Sequence, residues 1–143
     1  MNGTQIQHIL SLDPYAKKIF AGFSSPDLPL PVFSTCPALY VLNTGLSTSP
    51  GEHWCIACFT RDKVCYFFDP YGESPKKYIL DPVLLSVSEK LVYNTKCVQG
   101  NLAKTCGHHC IFFALQYARG YTPDEIMSLY KNNATRYNDN MVY

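Results

Sequence analysis

The stretch that most constrains this chain is 98–120, VQGNLAKTCGHHCIFFALQYARG, in which a polar, glycine-containing loop runs into an almost wholly apolar segment. Ile111, Phe112, Phe113, Ala114, Leu115, Tyr117 and Ala118 leave hardly any polar face. The pattern therefore predicts a helix buried on nearly every side, beginning near Cys106 and ended by Gly120. First-turn N–H groups have no partner within a helix, and the macrodipole places about half a positive charge there. A thiolate at Cys106 is stabilised by that position and its pKa falls, which is how a nucleophilic cysteine is made.

The 143 residues, 47% hydrophobic and 14% aromatic, suffice for one compact domain, expected over 1–143, without metal or disulfide staples. A net charge of +1, with no long charged runs, offers no electrostatic case for nucleic acid or a membrane surface. No stretch approaches the ~20 apolar residues of a membrane span. The start, MNGTQIQHIL, has neither the basic nor the long apolar region of a signal peptide. The expectation is an intracellular protein that is not secreted. Its seven cysteines, an odd number, then stand as reduced thiols.

Along the chain, Thr4 is expected to cap a short helix carrying Ile6, Ile9 and Leu10, and Asp13-Pro14 to open a second turn through Phe20. Gly22 and SSPDLPLP read as an extended connection, and 37–43 as a first buried strand. Residues 53–60 and 64–69 form the clearest hairpin, turning tightly near Arg61-Asp62. Asp81-Pro82 opens a short helix to about Ser88, 91–98 returns as a strand, and Thr122-Pro123-Asp124-Glu125 is a capping box for a helix to about Lys131. The last dozen residues are polar and read as ragged.

A two-residue hairpin turn pairs positions whose numbers sum to about 123, which brings His53 beside Asp69. A carboxylate next to an imidazole fixes its tautomer and supports its charged form, leaving the other ring nitrogen for a thiol. Gln99, seven residues before Cys106, can send its amide in front of the sulfur and pair with the Cys106 N–H as an oxyanion hole. Nucleophile, base, orienter and oxyanion donors together describe acyl transfer at a carbonyl. Each part has a blander reading: a core cysteine, a turn aspartate, a backbone-satisfying glutamine. The chemistry rests on their joint occurrence.

Cys55 and Cys58, with His108, His109 and Cys110, superficially offer zinc ligands. Within a strand, however, positions 55 and 58 point to opposite faces, and no glycine or proline breaks it. No metal site is expected. Cys55, Cys58, Cys65 and Cys110 read as small apolar core residues, and His108 and His109 as solvated or cleft-shaping groups on the first helical turn.

GEHW at 51–54, CYFFDPYG at 65–72, VQG at 98–100 and TCG at 105–107 resemble, in order and spacing, the motifs of adenain, the adenovirus-type cysteine protease family. LNTG at 42–45 and the stretch 20–23 extend the similarity over roughly 10–118. The resemblance implies an α+β, papain-like fold in circularly permuted order, with a mixed central sheet packed on the buried helix. It implies catalytic roles for His53, Asp69, Gln99 and Cys106, and substrate-binding roles for Gly51, Glu52, Trp54 and Gly107, with Trp54 flanking a narrow cleft suited to glycine. The activity it implies is cleavage of viral precursor polypeptides at small, glycine-containing motifs during virion maturation, in the host nucleus or the assembling virion. This chain is shorter and less basic than adenovirus proteases, and its nearest cysteine before VQG is Cys97. No cofactor is required; a short viral activating peptide stays open, whereas DNA binding is expected to be weak at most. SUMO and ubiquitin-like deconjugating proteases share the HW…D…Q…C order and form the alternative, and an inactive fold-alike acting as a binding module forms a second.

Overall fold

A computed structural model of the chain describes residues 1–30, 36–45, 53–100 and 104–142. Five strands, β1 (Phe20–Ser24), β2 (Ala38–Asn43), β3 (Trp54–Phe59), β4 (Val64–Phe68) and β5 (Lys90–Tyr93), form one sheet in the order β1-β2-β3-β4-β5. The central pairs β2/β3 and β3/β4 are antiparallel, and the outer pairs β1/β2 and β4/β5 are parallel, so the sheet is mixed. Six helices accompany it among the described residues: α1 (Gly3–Leu12), α2 (Ala16–Ile19), α3 (Asp81–Leu85), α4 (Cys106–Ala118), α5 (Pro123–Ser128) and α6 (Thr135–Val142). None is long and apolar enough to cross a membrane.

The central strands are buried on both faces, which is why they read as near-continuous apolar runs rather than alternating ones. Leu39, Val41, Ile56, Cys58, Tyr66 and Phe68 face α1, α4 and α5. Tyr40, Leu42, Cys55, Ala57, Cys65 and Phe67 face the other side, under Leu80 and Leu84. Cys55 and Cys58 thus lie on opposite faces, as the two-residue period of a strand requires. Helix α4 has no exposed residue from Cys106 to Ala118. Its Phe113 ring stacks on Phe68 at 4.6 Å and on Tyr66 at 5.8 Å between centroids, anchoring the helix to β4. Truncating a fully buried phenylalanine of this kind costs ~3–5 kcal/mol.

Several local expectations are corrected. Helix α1 is capped by Asn2 rather than Thr4, with Asn2 and Gln5 forming a reciprocal capping box. Phe20–Ser24 is an edge strand rather than a connection, and Gly22, at φ 136°, supplies the irregularity in its pairing with β2. The hairpin turn holds three residues, not two, because Lys63 takes the left-handed conformation at φ 60°. That shifts the ladder by one residue: Ile56 faces Phe68 and Cys58 faces Tyr66, numbers summing to 124. The strand expected over 91–98 ends at Tyr93. A 3₁₀ turn at Pro75–Tyr78 went unforeseen, and the polar tail forms α6.

Candidate active site

The hairpin and α4 bring His53, Asp69 and Cys106 together. His53 immediately precedes β3, and Asp69 follows β4. On the three-residue turn, position 53 lies opposite 71, and the rings of His53 and Tyr71 stack at 4.7 Å and 22°. Asp69 reaches the same imidazole from two residues inward of that pair, with Oδ1 2.6 Å from His53 Nε2.

The Asp69 side chain is fully buried, and its environment supplies donors at both oxygens. Oδ1 also accepts the Tyr71 backbone N–H at 3.0 Å, and Oδ2 accepts the Glu73 N–H at 3.1 Å and the Tyr78 hydroxyl at 2.7 Å. Burial by itself raises a carboxyl pKa, but these donors and the His53 charge outweigh it, holding Asp69 below its ordinary range. Asn94 clips the residue from outside, its amide oxygen accepting the Asp69 N–H at 2.9 Å and its amide nitrogen donating to the Asp69 carbonyl at 2.7 Å.

With Nε2 donating to Asp69, His53 offers Nδ1 to the Cys106 thiol. Burial disfavours the imidazolium, yet hydrogen bonds to Asp69 and Cys106 raise its pKa to about 9. For Cys106 burial pushes the thiol up, while the His53 hydrogen bond and the backbone N–H groups of Trp54 and Gly107 pull it below the ordinary value. The two shifts favour a thiolate–imidazolium pair at neutral pH.

Gln99 is almost completely buried, with Nε2 3.4 Å from the Tyr71 hydroxyl. Trp54 and Gly107 both adjoin the sulfur and also meet the chain's first residue. The indole Nε1 donates to the Met1 carbonyl at 3.0 Å, and a Cβ added at Gly107 would stand 3.2 Å from Met1 Cβ and Sδ. Gly51 and Glu52 lie outside the described residues. Beside His53 a cleft of about 740 Å³ opens, bordered by Thr44, Tyr71, Glu73, Lys77 and Cys97.

His53, Cys55 and Asp69 each bring a ligand-type atom within 4.8 Å of the others, a grouping the sequence reading did not consider. Ligands on one tetrahedral zinc at 2.0–2.1 Å stand about 3.3 Å apart. The 2.6 Å between His53 Nε2 and Asp69 Oδ1 is a hydrogen-bond distance instead, and burial keeps the Cys55 thiol protonated and bonded to Asp69. Tyr71, Tyr78, Asn94 and Asp139 were missed as parts of the site. Tyr71 alone carried a signal, its place within DPYG. His109, expected to be solvated or cleft-shaping, is completely buried and bonded to Asp139 and Tyr130.

No protein-family model matches the chain, and no curated protein matches it. Among solved structures the chain is similar to the ASFV pS273R protease, at a TM-score of 0.45 and 20% sequence identity, over 70% of this chain and 42% of that one. The chain therefore spans less than half the length of that protease.

Proposed function

We propose that the chain is a cysteine endopeptidase, on the strength of one observation: His53, hydrogen-bonded to the buried Asp69 at 2.6 Å, adjoins the Cys106 thiol closely enough that each shifts the other's pKa towards the charged pair. The Cys106 thiolate attacks the scissile carbonyl carbon, and the carbonyl π pair moves to oxygen. The Cys106 N–H and the Gln99 amide receive that oxyanion. Collapse breaks the C–N bond, and the His53 imidazolium gives its proton to the departing amine. Water, deprotonated by His53, then hydrolyses the thioester and restores the thiol. Asp69 stays ionised throughout and holds the ring in the required tautomer. The 740 Å³ cleft beside His53 suits the leaving-amine side of the substrate, since His53 is the proton donor to that amine.

The substrate reading is viral precursor polypeptides cut after small, glycine-containing motifs during virion maturation. It rests on the adenain-like motifs at 51–54, 65–72, 98–100 and 105–107, and is favoured by Trp54 and the side-chain-free Gly107, whose backbone N–H groups both adjoin the Cys106 sulfur. A short activating peptide has at β5 the last strand of the sheet among the described residues, and an exposed thiol at Cys97. Weak DNA binding is supported by how lysines are used: Lys96 Nζ donates to the Met127 and Tyr130 carbonyls at 3.2 and 2.7 Å, closing the end of α5.

The test is hydrolysis of peptides containing Gly-Gly, run beside a viral precursor and a ubiquitin-like fusion, with mass spectrometry after a Gly-Gly aldehyde or vinyl probe. Labelling at Cys106, with cleavage abolished in Cys106→Ala, is the expected result. A fully active Cys106→Ala rejects the assignment, and cleavage confined to the ubiquitin-like fusion transfers it to the deconjugating proteases.

A further inference from the structure

The carboxylate of Asp139, on the C-terminal helix α6, is a meeting point of three elements. Its Oδ2 accepts the Gly100 backbone N–H at 3.1 Å, and its Oδ1 accepts the Thr105 hydroxyl and His109 Nε2–H, each at 2.8 Å. His109 is fully buried, and its Nδ1 lies 3.1 Å from the Tyr130 hydroxyl. Those partners assign the proton to Nε2, with Nδ1 as acceptor. Burial holds the His109 pKa down, in keeping with a neutral ring.

The three donors are not scattered. Gly100 follows Gln99, Thr105 precedes Cys106, and His109 closes the first turn of α4 with its N–H on the Thr105 carbonyl at 2.9 Å. Asp139 therefore grips both ends of the segment running from the glutamine to the nucleophile. Thr105 occupies the N-cap position of α4, where a threonine hydroxyl ordinarily accepts an N–H from the first turn. Here it makes no capping bond, because it is turned away as a donor to Asp139. The Thr105 hydroxyl thus ties the start of α4 to the same carboxylate that holds Gly100.

We propose that Asp139 is a positioning residue, which holds Gln99 in place through Gly100, anchored against the start of α4 through Thr105 and His109, so that the Gln99 amide faces the reacting carbonyl. The proposal rests on the peptidase reading and adds α6 to the machinery of that site. Asp139 touches neither substrate nor sulfur. Its loss should consequently act on turnover through Gln99 rather than on thiolate formation, for which His53 is the charged partner.

The experiment compares the full chain with Asp139→Ala and the isosteric Asp139→Asn, each also in a Gln99→Ala background. It reads peptide hydrolysis, alkylation of Cys106 by iodoacetamide, and hydrogen exchange at the Gly100 amide. We expect Asp139→Ala to lower kcat about tenfold or more, short of the 10²–10³ of losing an oxyanion donor outright. KM should stay within about threefold. Alkylation should proceed at the parent rate, Gly100 should exchange faster, and the kcat penalty should largely vanish once Gln99 is alanine. Asp139→Asn should show the same pattern more weakly, and it carries the test if the alanine variant does not fold. Unchanged Gly100 exchange overturns the proposal. So does an unchanged kcat, a penalty that persists in full without Gln99, or a parallel fall in alkylation. If the parent chain cleaves no peptide, the peptidase reading fails by itself. Exchange at Gly100 with unaltered Cys106 alkylation then still supports the grip, and unaltered exchange still rejects it.

Discussion

The backbone N–H of Gln99 lies 3.1 Å from the carbonyl oxygen of Pro70, and the Val98 N–H shares that oxygen at 2.8 Å. Pro70 belongs to the turn that begins at Asp69 and is closed by the Gly72 N–H on the Asp69 carbonyl at 2.8 Å. Asp69, which bonds His53, and Gln99 are therefore built on one junction. The resemblance of two separate motifs, DPYG and VQG, to those of a known family acquires a physical meaning here: one motif is the docking surface of the other.

Gly72 is the weak point of that junction. It sits at φ +72°, and an added Cβ would come within 2.8 Å of the Thr95 carbonyl oxygen and 2.9 Å of the Lys96 backbone. No flexible side chain can give way. Gly72→Ala is expected to cost ~1–3 kcal/mol for the left-handed conformation, plus the clash. Urea denaturation should show that loss, together with a fall in kcat as Asp69 and Gln99 move apart. A variant as stable and as active as the parent would mean that the junction yields freely.

Asp69→Asn separates orientation from charge. The amide keeps one acceptor oxygen but loses the carboxylate that supports the imidazolium, and its N–H₂ must face at least one of the donors now served. Turnover at neutral pH should fall strongly, by up to ~10⁴ if the wrong tautomer is trapped. Labelling of Cys106 by a small electrophile at alkaline pH should largely survive, since a thiolate forms there without the histidine. Equal losses in both assays would assign Asp69 a purely structural part.

The pH dependence follows from the directions of the shifts. The thiolate–imidazolium pair exists between the lowered Cys106 pKa and the raised His53 pKa, so kcat/KM should hold a plateau that ends on the alkaline side near pH 9. For stability, the folded His53 binds its proton more tightly than the ordinary value of 6.5. Its contribution is complete below 6.5 and is lost as pH rises through about 9. Asp69, held below 3.8, contributes above that value, and its share is lost as pH falls through its folded pKa. Denaturation midpoints at a series of pH values should therefore decline on both sides in the parent, and less so in Asp69→Asn.

What could be read from the sequence was whatever short-range pattern dictates. The apolar run after Cys106, the capping box at Thr122 and the strands flanking Arg61-Asp62 each carry their signal locally, and the structure has all three. The hairpin register slipped by one because a left-handed lysine at position 63 is not written in residue type. His53 still met Asp69, since their side chains span the two-residue offset between Asp69 and the position opposite His53. Strand β1 stayed hidden because Gly22 marks a bulge in a parallel edge pair, which looks like a break. Helix α6 stayed hidden because its sequence is polar. Besides Val142 packed on the core, it is held by hydrogen bonds: Asn138 bridges both backbone groups of Lys131, and Asp139 reaches across to Gly100, Thr105 and His109. Contacts of 30 residues and more in separation leave no periodic trace.

The last prediction concerns Met1, which lies against both residues flanking the nucleophile. Its carbonyl accepts the Trp54 indole N–H at 3.0 Å, its side chain covers Gly107, and Gly3 meets the Trp54 ring 3.5 Å from where a Cβ would stand. A peptide laid along Trp54 and Gly107 towards Cys106 has to displace these residues. Binding energy is then spent on displacement, which raises KM rather than lowering kcat. Removing residues 1 and 2 should thus lower KM severalfold, by roughly the loss of one hydrogen bond worth about 0.5–1.5 kcal/mol, with kcat little changed. Trp54, the only tryptophan, reports the exchange directly: covalent occupation of Cys106 by a Gly-Gly aldehyde should shift its emission in the parent and much less in the shortened chain. If the shortened chain binds substrate no better, and Trp54 responds alike in both, the peptide takes a path that leaves Met1 in place.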